Sequence, residues 1–117
     1  MSPPTSEAIK AEIAAYLKYC IESESPPRVS ELAVEMGIST GRLYRICTSV
    51  IGTSPGKLLK RLQLYEAQRI MSSSAKESTA RLAYRCAFGT RRTFFRTFNR
   101  LTSSSPKLWL RTRHAKK

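Results

Sequence analysis

The chain is poor in the groups that do covalent chemistry. Among its 117 residues there is one histidine, His114, and there are three cysteines, Cys20, Cys47 and Cys86, widely spaced and without a Cys-x-x-Cys pair. A zinc site needs about four ligands at short, regular spacings. No metal and no cofactor are therefore expected, and the cysteines read as small apolar core residues. A solitary histidine near the end of the chain also excludes a Ser/His/Asp or Cys/His constellation, and Glu66 and Glu77 form no evident acid/base pair. The expectation is that the protein is not an enzyme. Long apolar runs are missing as well. Nothing approaches the ~18 residues of a spanning helix, so no membrane partner is expected. The opening Met1-Ser2-Pro3-Pro4-Thr5-Ser6-Glu7 has neither the basic region nor the apolar run of a secretory signal, which points to the cytoplasm.

Acidic residues are scarce in one half only. Residues 57–117 hold 16 Lys/Arg against 2 Glu, a balance of +14, whereas residues 1–56 hold 5 Lys/Arg and 6 acids, a balance of −1. The net charge of +13 and a pI near 10.3 favour a polyanionic partner, and the C-terminal half carries its electrostatic footprint. With 41% hydrophobic residues the chain can still bury helical cores, as one domain or two very small ones.

What is present is helical periodicity. Ile9, Ile13, Tyr16, Leu17, Cys20 and Ile21 mark one face of a first helix over about 6–23, which Glu24-Ser25-Pro26-Pro27 breaks. A short helix follows over 29–36 with Leu32, Ala33 and Met36 inward, and Gly37 supplies a turn. Ser39-Thr40 can cap the next helix, whose apolar stripe is Leu43, Ile46, Cys47 and Val50. Two short helices joined by a tight glycine turn make a helix-turn-helix candidate. Ser54-Pro55 restarts the chain into a helix of about 55–72, with Leu58, Leu59, Leu62, Tyr65, Ile70 and Met71 as apolar contacts and Ser72-Ser73-Ser74 as its stop.

The pattern then repeats. Arg81-Leu82-Ala83 echoes Glu31-Leu32-Ala33 at an offset of 50, and Ala87-Phe88 stands where Gly37-Ile38 stood. Past the turn the offset becomes 51: Phe94 matches Leu43, Arg96 matches Arg45, Phe98 matches Cys47, and Ser105-Pro106 matches Ser54-Pro55. This is a two-fold internal repeat with one extra residue in the second turn. The helix over 91–102 puts Phe94, Thr97, Phe98 and Leu101 on one stripe and Arg92, Phe95, Arg96 and Asn99 opposite, with Arg91 at its start. A last helix over about 106–112 carries Leu108, Trp109 and Leu110, with Trp109 as a core anchor. Arg111, Arg113, Lys116 and Lys117 form a basic tail.

The expected architecture is thus all-α, about seven helices in two helix-turn-helix units, residues 6–53 and 74–113, joined by a linker helix over 54–73. An 18-residue helix is ~27 Å long. It can hold two recognition helices, about 40–51 and 91–102, near one DNA turn apart, ~34 Å. One chain could then read an asymmetric site as a monomer.

These residues resemble the DNA-binding domain of the AraC/XylS family of bacterial transcription regulators. The match runs through Glu31-Leu32-Ala33, Gly37-Ile38-Ser39, Leu43, Arg45, Gly52-Thr53-Ser54-Pro55, Leu59, Leu64 and Ala67. It resumes through Leu82-Ala83, Phe88, Phe94, Arg96, Phe98, Ser105-Pro106 and Trp109. The resemblance covers about residues 8–111, and the chain looks like a small stand-alone member. It implies base-reading positions at Gly41, Arg42, Tyr44 and Arg45 in the first unit and at Arg91, Arg92, Phe95 and Arg96 in the second. Thr40, Lys57, Arg61, Thr90 and Arg100 are candidates for holding phosphates. RNA polymerase is an implied further partner, and association with the nucleoid an implied location. Four positions depart from the family: Ala87 and Ser103 replace glycines, Gln63 an arginine, and Cys47 a phenylalanine. Gly41 offers the groove no side chain. The favoured function is sequence-specific binding of double-stranded DNA. The alternative is an architectural or RNA-binding protein with little sequence preference.

Overall fold

The structure, a computed structural model, describes residues 5–73 and 78–115, with side chains through Arg111. The described residues form seven α-helices and no strand, so the all-α expectation stands. In order they are α1 (Ser6–Glu22), α2 (Val29–Glu35), α3 (Thr40–Ile46), α4 (Pro55–Ser73), α5 (Thr79–Arg85), α6 (Arg91–Thr102) and α7 (Pro106–Ala115). One turn of π-helix, Cys47–Ile51, continues α3. The molecule is elongated, 50 × 28 × 21 Å. Pro3, Pro4, the expected stop at Ser74, Glu77 and the tail lysines Lys116 and Lys117 lie outside the described residues. So do the side chains of Arg113 and His114.

Local chemistry sets the helix starts. The side chains of Thr5, Ser39, Ser78 and Thr90 each accept a hydrogen bond from the backbone N–H three residues on, at 3.1–3.2 Å. Ser54 and Ser105 do the same ahead of the prolines that open α4 and α7. Each cap satisfies one of the orphan N–H groups of a first turn. α2 is capped differently. Its N-cap is Arg28, which makes no side-chain cap bond. Instead the Arg28 N–H donates to the Tyr16 hydroxyl (2.9 Å), and that hydroxyl donates to the Glu31 carboxylate (2.9 Å). In a capping box the third helical residue takes the N-cap N–H directly. Here a tyrosine from α1 stands between the two and ties α1 to α2. Burial pushes the Tyr16 phenol well above its ordinary range, which keeps it a donor.

Two clusters of buried side chains form the interior. The first joins Ile9, Ile13, Tyr16, Leu17 and Cys20 of α1 to Leu32, Ala33, Leu43, Cys47, Leu58 and Leu59. The second joins Leu64, Ala67, Ile70 and Met71 of α4 to Leu82, Ala83, Cys86, Phe88, Phe94 and Phe98. α4 therefore contributes its first half to one cluster and its second half to the other. All three cysteines are free and buried, and burial pushes the Cys20 and Cys47 thiols up. Trp109 packs edge-on against Phe98 with centroids 5.8 Å apart, in keeping with a core anchor.

Three stripe assignments fail. Val50 is 37% exposed, and Ile51 packs on the first core in its place. The π turn is the reason. Thr48 and Ser49 return their hydroxyls to the Tyr44 and Arg45 carbonyls at 2.8 and 2.7 Å, which loosens the α-helical ladder. The widened turn then carries one extra residue and moves the apolar register by one. Tyr65 is 65% exposed, because Gln63, Leu64 and Ala67 form the inward side of that part of α4. Leu101 is 39% exposed and lies outside the second cluster. The chain reverses just beyond it, at Ser103, and Trp109 covers Phe98 instead.

The internal repeat extends to individual hydrogen bonds. The Ile38 N–H donates to the Ala33 carbonyl (3.0 Å) and the Phe88 N–H to the Ala83 carbonyl (2.9 Å). The extra residue of the second turn is Gly89, at φ +86°. Gly37 takes the left-handed conformation in the first turn, at φ +70°, and Ala87 takes it in the second, at φ +61°. The Ala87 methyl is buried in the first core, so packing offsets the cost of a side chain there. Ser103 is also left-handed, at φ +58°, but exposed, with no packing to offset it. Ser103→Gly is expected to stabilise the protein by about 1 kcal/mol in urea denaturation. Ala87→Gly, losing a buried methyl, is expected to gain little or nothing.

Candidate nucleic-acid interface

α6 is the best-anchored helix of the second unit. Phe94, Thr97 and Phe98 are buried beneath it, and Phe94 packs at a tilt against Phe88 (5.0 Å) and edge-on against Phe98 (5.8 Å). This buried aromatic row fixes how the helix is rotated about its axis. Arg92, Arg96 and Asn99 are consequently exposed on the outer side, and Arg100 is exposed on the flank toward α4. The Arg91 guanidinium lies over the half-buried Phe95 ring, 5.0 Å from its centroid, so each of these two side chains orders the other. Among the described residues no acidic side chain bridges to an arginine of α6.

α3 presents the equivalent positions with less charge. Gly41, Arg42, Tyr44 and Arg45 are all exposed. Arg45 reaches back along the helix, and a Cβ built on Gly41 would sit 3.8 Å from its Nη1. All eight expected base-reading positions thus fall on the outer sides of α3 and α6, Phe95 being half-buried.

The expected phosphate-holding residues are not gathered in one place. Lys57 and Arg61 line a groove of about 510 Å³ with Lys10, beside the chain leaving the π turn at Ile51 and Gly52. Thr40 is the exposed first residue of α3. Thr90 is the N-cap of α6, and its hydroxyl donates to Thr93 Oγ1 (2.9 Å) while accepting the Thr93 N–H. Its hydroxyl is therefore spent on the helix start, and the first N–H groups of α6 are the donors left to face an anion there. Arg100 lies on the α4 side of α6, close enough to Lys60 for the two charges to be felt.

Lys60 was missed in the sequence. It is half-buried between the units, its ammonium 5.8 Å from the Phe88 ring centroid. Burial first, and then the Arg100 charge, push its pKa down. The signal was available, since Lys57, Lys60 and Arg61 follow helical spacing, but periodicity alone does not say which of the three turns toward α6. Among the described residues no acid bridges to either cation, so an anion placed there would relieve their repulsion.

Among the described residues no group of three or more His, Cys, Asp or Glu could hold a metal ion. No helix among them is long and apolar enough to cross a membrane.

Comparison with known proteins adds three findings. The sequence model of a family described as Helix-turn-helix domain matches residues 32–112. The HTH-type transcriptional regulator Rv1931c of Mycobacterium tuberculosis is 32% identical over 79 residues, which is 68% of this chain and 30% of that protein. The chain thus spans under a third of the length of this curated relative. Among solved structures, the DNA-binding domain of AdpA, described as the global transcriptional factor in complex with a target DNA, superposes with a TM-score of 0.77. That match covers 91% of this chain and 96% of the other at 24% identity, so it speaks to the fold.

If Lys60 meets a phosphate, Lys60→Gln is expected to lower the slope of log K against log salt by ~0.9 on duplex DNA, read by fluorescence anisotropy. Because its pKa is lowered, Lys60 discharges before an ordinary lysine as pH rises. Wild-type binding should therefore begin to weaken at a lower alkaline pH than that of Lys60→Gln. Identical salt slopes and pH profiles would remove Lys60 from the interface.

Proposed function

The chain belongs to the AraC-type helix-turn-helix family, and on that footing we propose that it is a sequence-specific, double-stranded-DNA-binding transcription regulator. It acts as a monomer, with α3 and α6 entering adjacent segments of the major groove. The observation that carries this reading is the outer face of α6: Arg92 and Arg96 exposed and Arg91 stacked on Phe95, with no acidic partner among the described residues, on a helix held from below by buried aromatic rings. Arginine reads guanine bidentately through O6 and N7, and a good pair gives ~1–3 kcal/mol of discrimination.

In this reading Arg92 and Arg96 reach base edges, Phe95 offers an apolar contact held under Arg91, and Arg45 is the chief reader of α3 beside Arg42 and Tyr44. Gly41 lets the backbone approach the groove. Thr40, Lys57, Arg61, Lys60, Arg100 and the N–H groups that follow Thr90 position the duplex through its phosphates. The second unit carries most of the affinity, as the +14 balance of residues 57–117 suggests. No cofactor enters the mechanism. As a bacterial regulator acting in the cytoplasm on the nucleoid, the DNA-bound chain would have RNA polymerase as its further partner. No catalytic step is assigned.

Selection from a randomised duplex pool at about 150 mM salt, where non-specific binding is weakened, tests this reading. The expected outcome is an asymmetric motif of two blocks about one helical turn apart. Tight binding without enrichment would replace it with an architectural or RNA-binding role. On the selected duplex Arg96→Ala should cost about tenfold or more in affinity and relax preference at one base pair. Arg45→Ala should cost less. The reverse order would show that the first unit dominates.

A further inference from the structure

The turn between α5 and α6, residues 86–89, is built into the first unit as well as the second. One contact is to the linker helix and two are to the first unit. Gln63, in the middle of α4, is fully buried, and its amide donates both hydrogens into this turn, to the Cys86 carbonyl (3.1 Å) and the Ala87 carbonyl (2.8 Å). The Ala87 side chain belongs to the first core, although its neighbours Cys86 and Phe88 belong to the second. At Gly89 a Cβ would come 3.1 Å from the ring of Pro26, in the segment between α1 and α2, so the first unit abuts the turn there too. The next residue, Thr90, caps α6.

The remaining atom of the Gln63 amide sharpens the point. Its Oε1 is buried with no hydrogen-bond partner among the described residues. A buried acceptor left unmet is unfavourable. Turning the amide over would make matters worse by setting Oε1 against two carbonyl oxygens. The side chain is held in place by what its NH₂ does.

We propose that this turn is a register-setting joint and that Gln63 is its positioning residue, fixing the separation and angle of α3 and α6 so that the chain accepts one spacing between its two DNA blocks. This rests on the reading of both helices as major-groove readers. The physical reason is lack of slack. Only Thr90 separates the clamped turn from α6, so α6 cannot turn against the first unit without breaking buried hydrogen bonds. Each base pair inserted between two blocks shifts one by ~3.4 Å and rotates it by ~34° about the duplex. A joint of this kind cannot follow such a change, whereas a flexible linker could. Spacing would then be read by protein geometry, at positions where no base is touched.

The experiment has two arms on the full chain. In the first, spin labels are placed through Glu12→Cys on α1 and Lys107→Cys on α7, both exposed positions, and the distance distribution is measured without DNA. The native thiols are buried and slow to react. The wild-type background should give one narrow peak, and Gln63→Leu, which keeps bulk but donates nothing, a broader or shifted one. In the second arm, duplexes carry the selected blocks at their natural spacing and with one or two base pairs inserted. The wild type should lose about tenfold or more on a single insertion, comparable to a mismatch, while Gln63→Leu should lose about threefold or less. A broad distribution in the wild-type background overturns the proposal, even if Gln63→Leu fails to fold. So does an unchanged spacing penalty in a Gln63→Leu protein that circular dichroism shows to be folded. If the wild type does not prefer selected to random DNA, the reading of the helices fails, and the first arm still decides whether the joint is rigid.

Discussion

Two carbonyl groups at the end of α5 face the protein interior, and the arrangement of the second unit depends on their being satisfied. Leaving the Cys86 and Ala87 oxygens without donors would cost about 1–3 kcal/mol each. Gln63 supplies both from the one helix that belongs to both cores. A side chain on α4 thereby holds the turn that launches α6. The family resemblance implies an arginine at this position. Glutamine meets the two acceptors without bringing a charge into the buried site, at the expense of one oxygen left unmet among the described residues.

The two units solve the same turn in two ways. The first uses Gly37, which tolerates φ +70° without strain. The second puts Ala87 in that conformation and adds Gly89, so a methyl can enter the neighbouring core while the extra residue carries the chain past Pro26. The recognition helices differ correspondingly. α6 is regular for 12 residues and rests on aromatic rings, whereas α3 gives way after Ile46 to a π turn whose serine and threonine hydroxyls compete for its carbonyls. Together with the charge imbalance, this makes α6 the more regular and more electropositive of the two helices.

Much of this was legible in the sequence because it depends on local rules. The cap at Ser39 and the Ser-Pro restarts at 54–55 and 105–106 each follow from a few neighbouring residues. The left-handed sites at 87 and 103, by contrast, are marked only by the family resemblance, as positions where it has glycine, and Thr90 reads in the sequence as a phosphate contact rather than as the cap it is. The outer faces of α3 and α6 follow from helical period alone. The assignments of Val50, Tyr65 and Leu101 failed where period ceased to be a guide. At Val50 hydroxyl bonding changed the helix type, at Tyr65 two cores on one helix divided the inward face, and at Leu101 the helix outran its support. Lys60 was passed over because a basic residue at helical spacing looks the same whether it faces solvent or another helix.

By itself, then, the sequence determined the helices, their order, the internal repeat and the residues turned outward on each recognition helix, because propensity, capping and periodicity act within about four residues along the chain. The tertiary structure alone decided which residues hold one unit to the other: Gln63 on the carbonyls of residues 23 and 24 positions away, Ala87 in the opposite core, Gly89 against Pro26, and Lys60 beside Arg100. Such contacts join groups distant in the chain through burial and donor–acceptor geometry, and no local pattern encodes which distant carbonyl will lack a donor until the helices have packed.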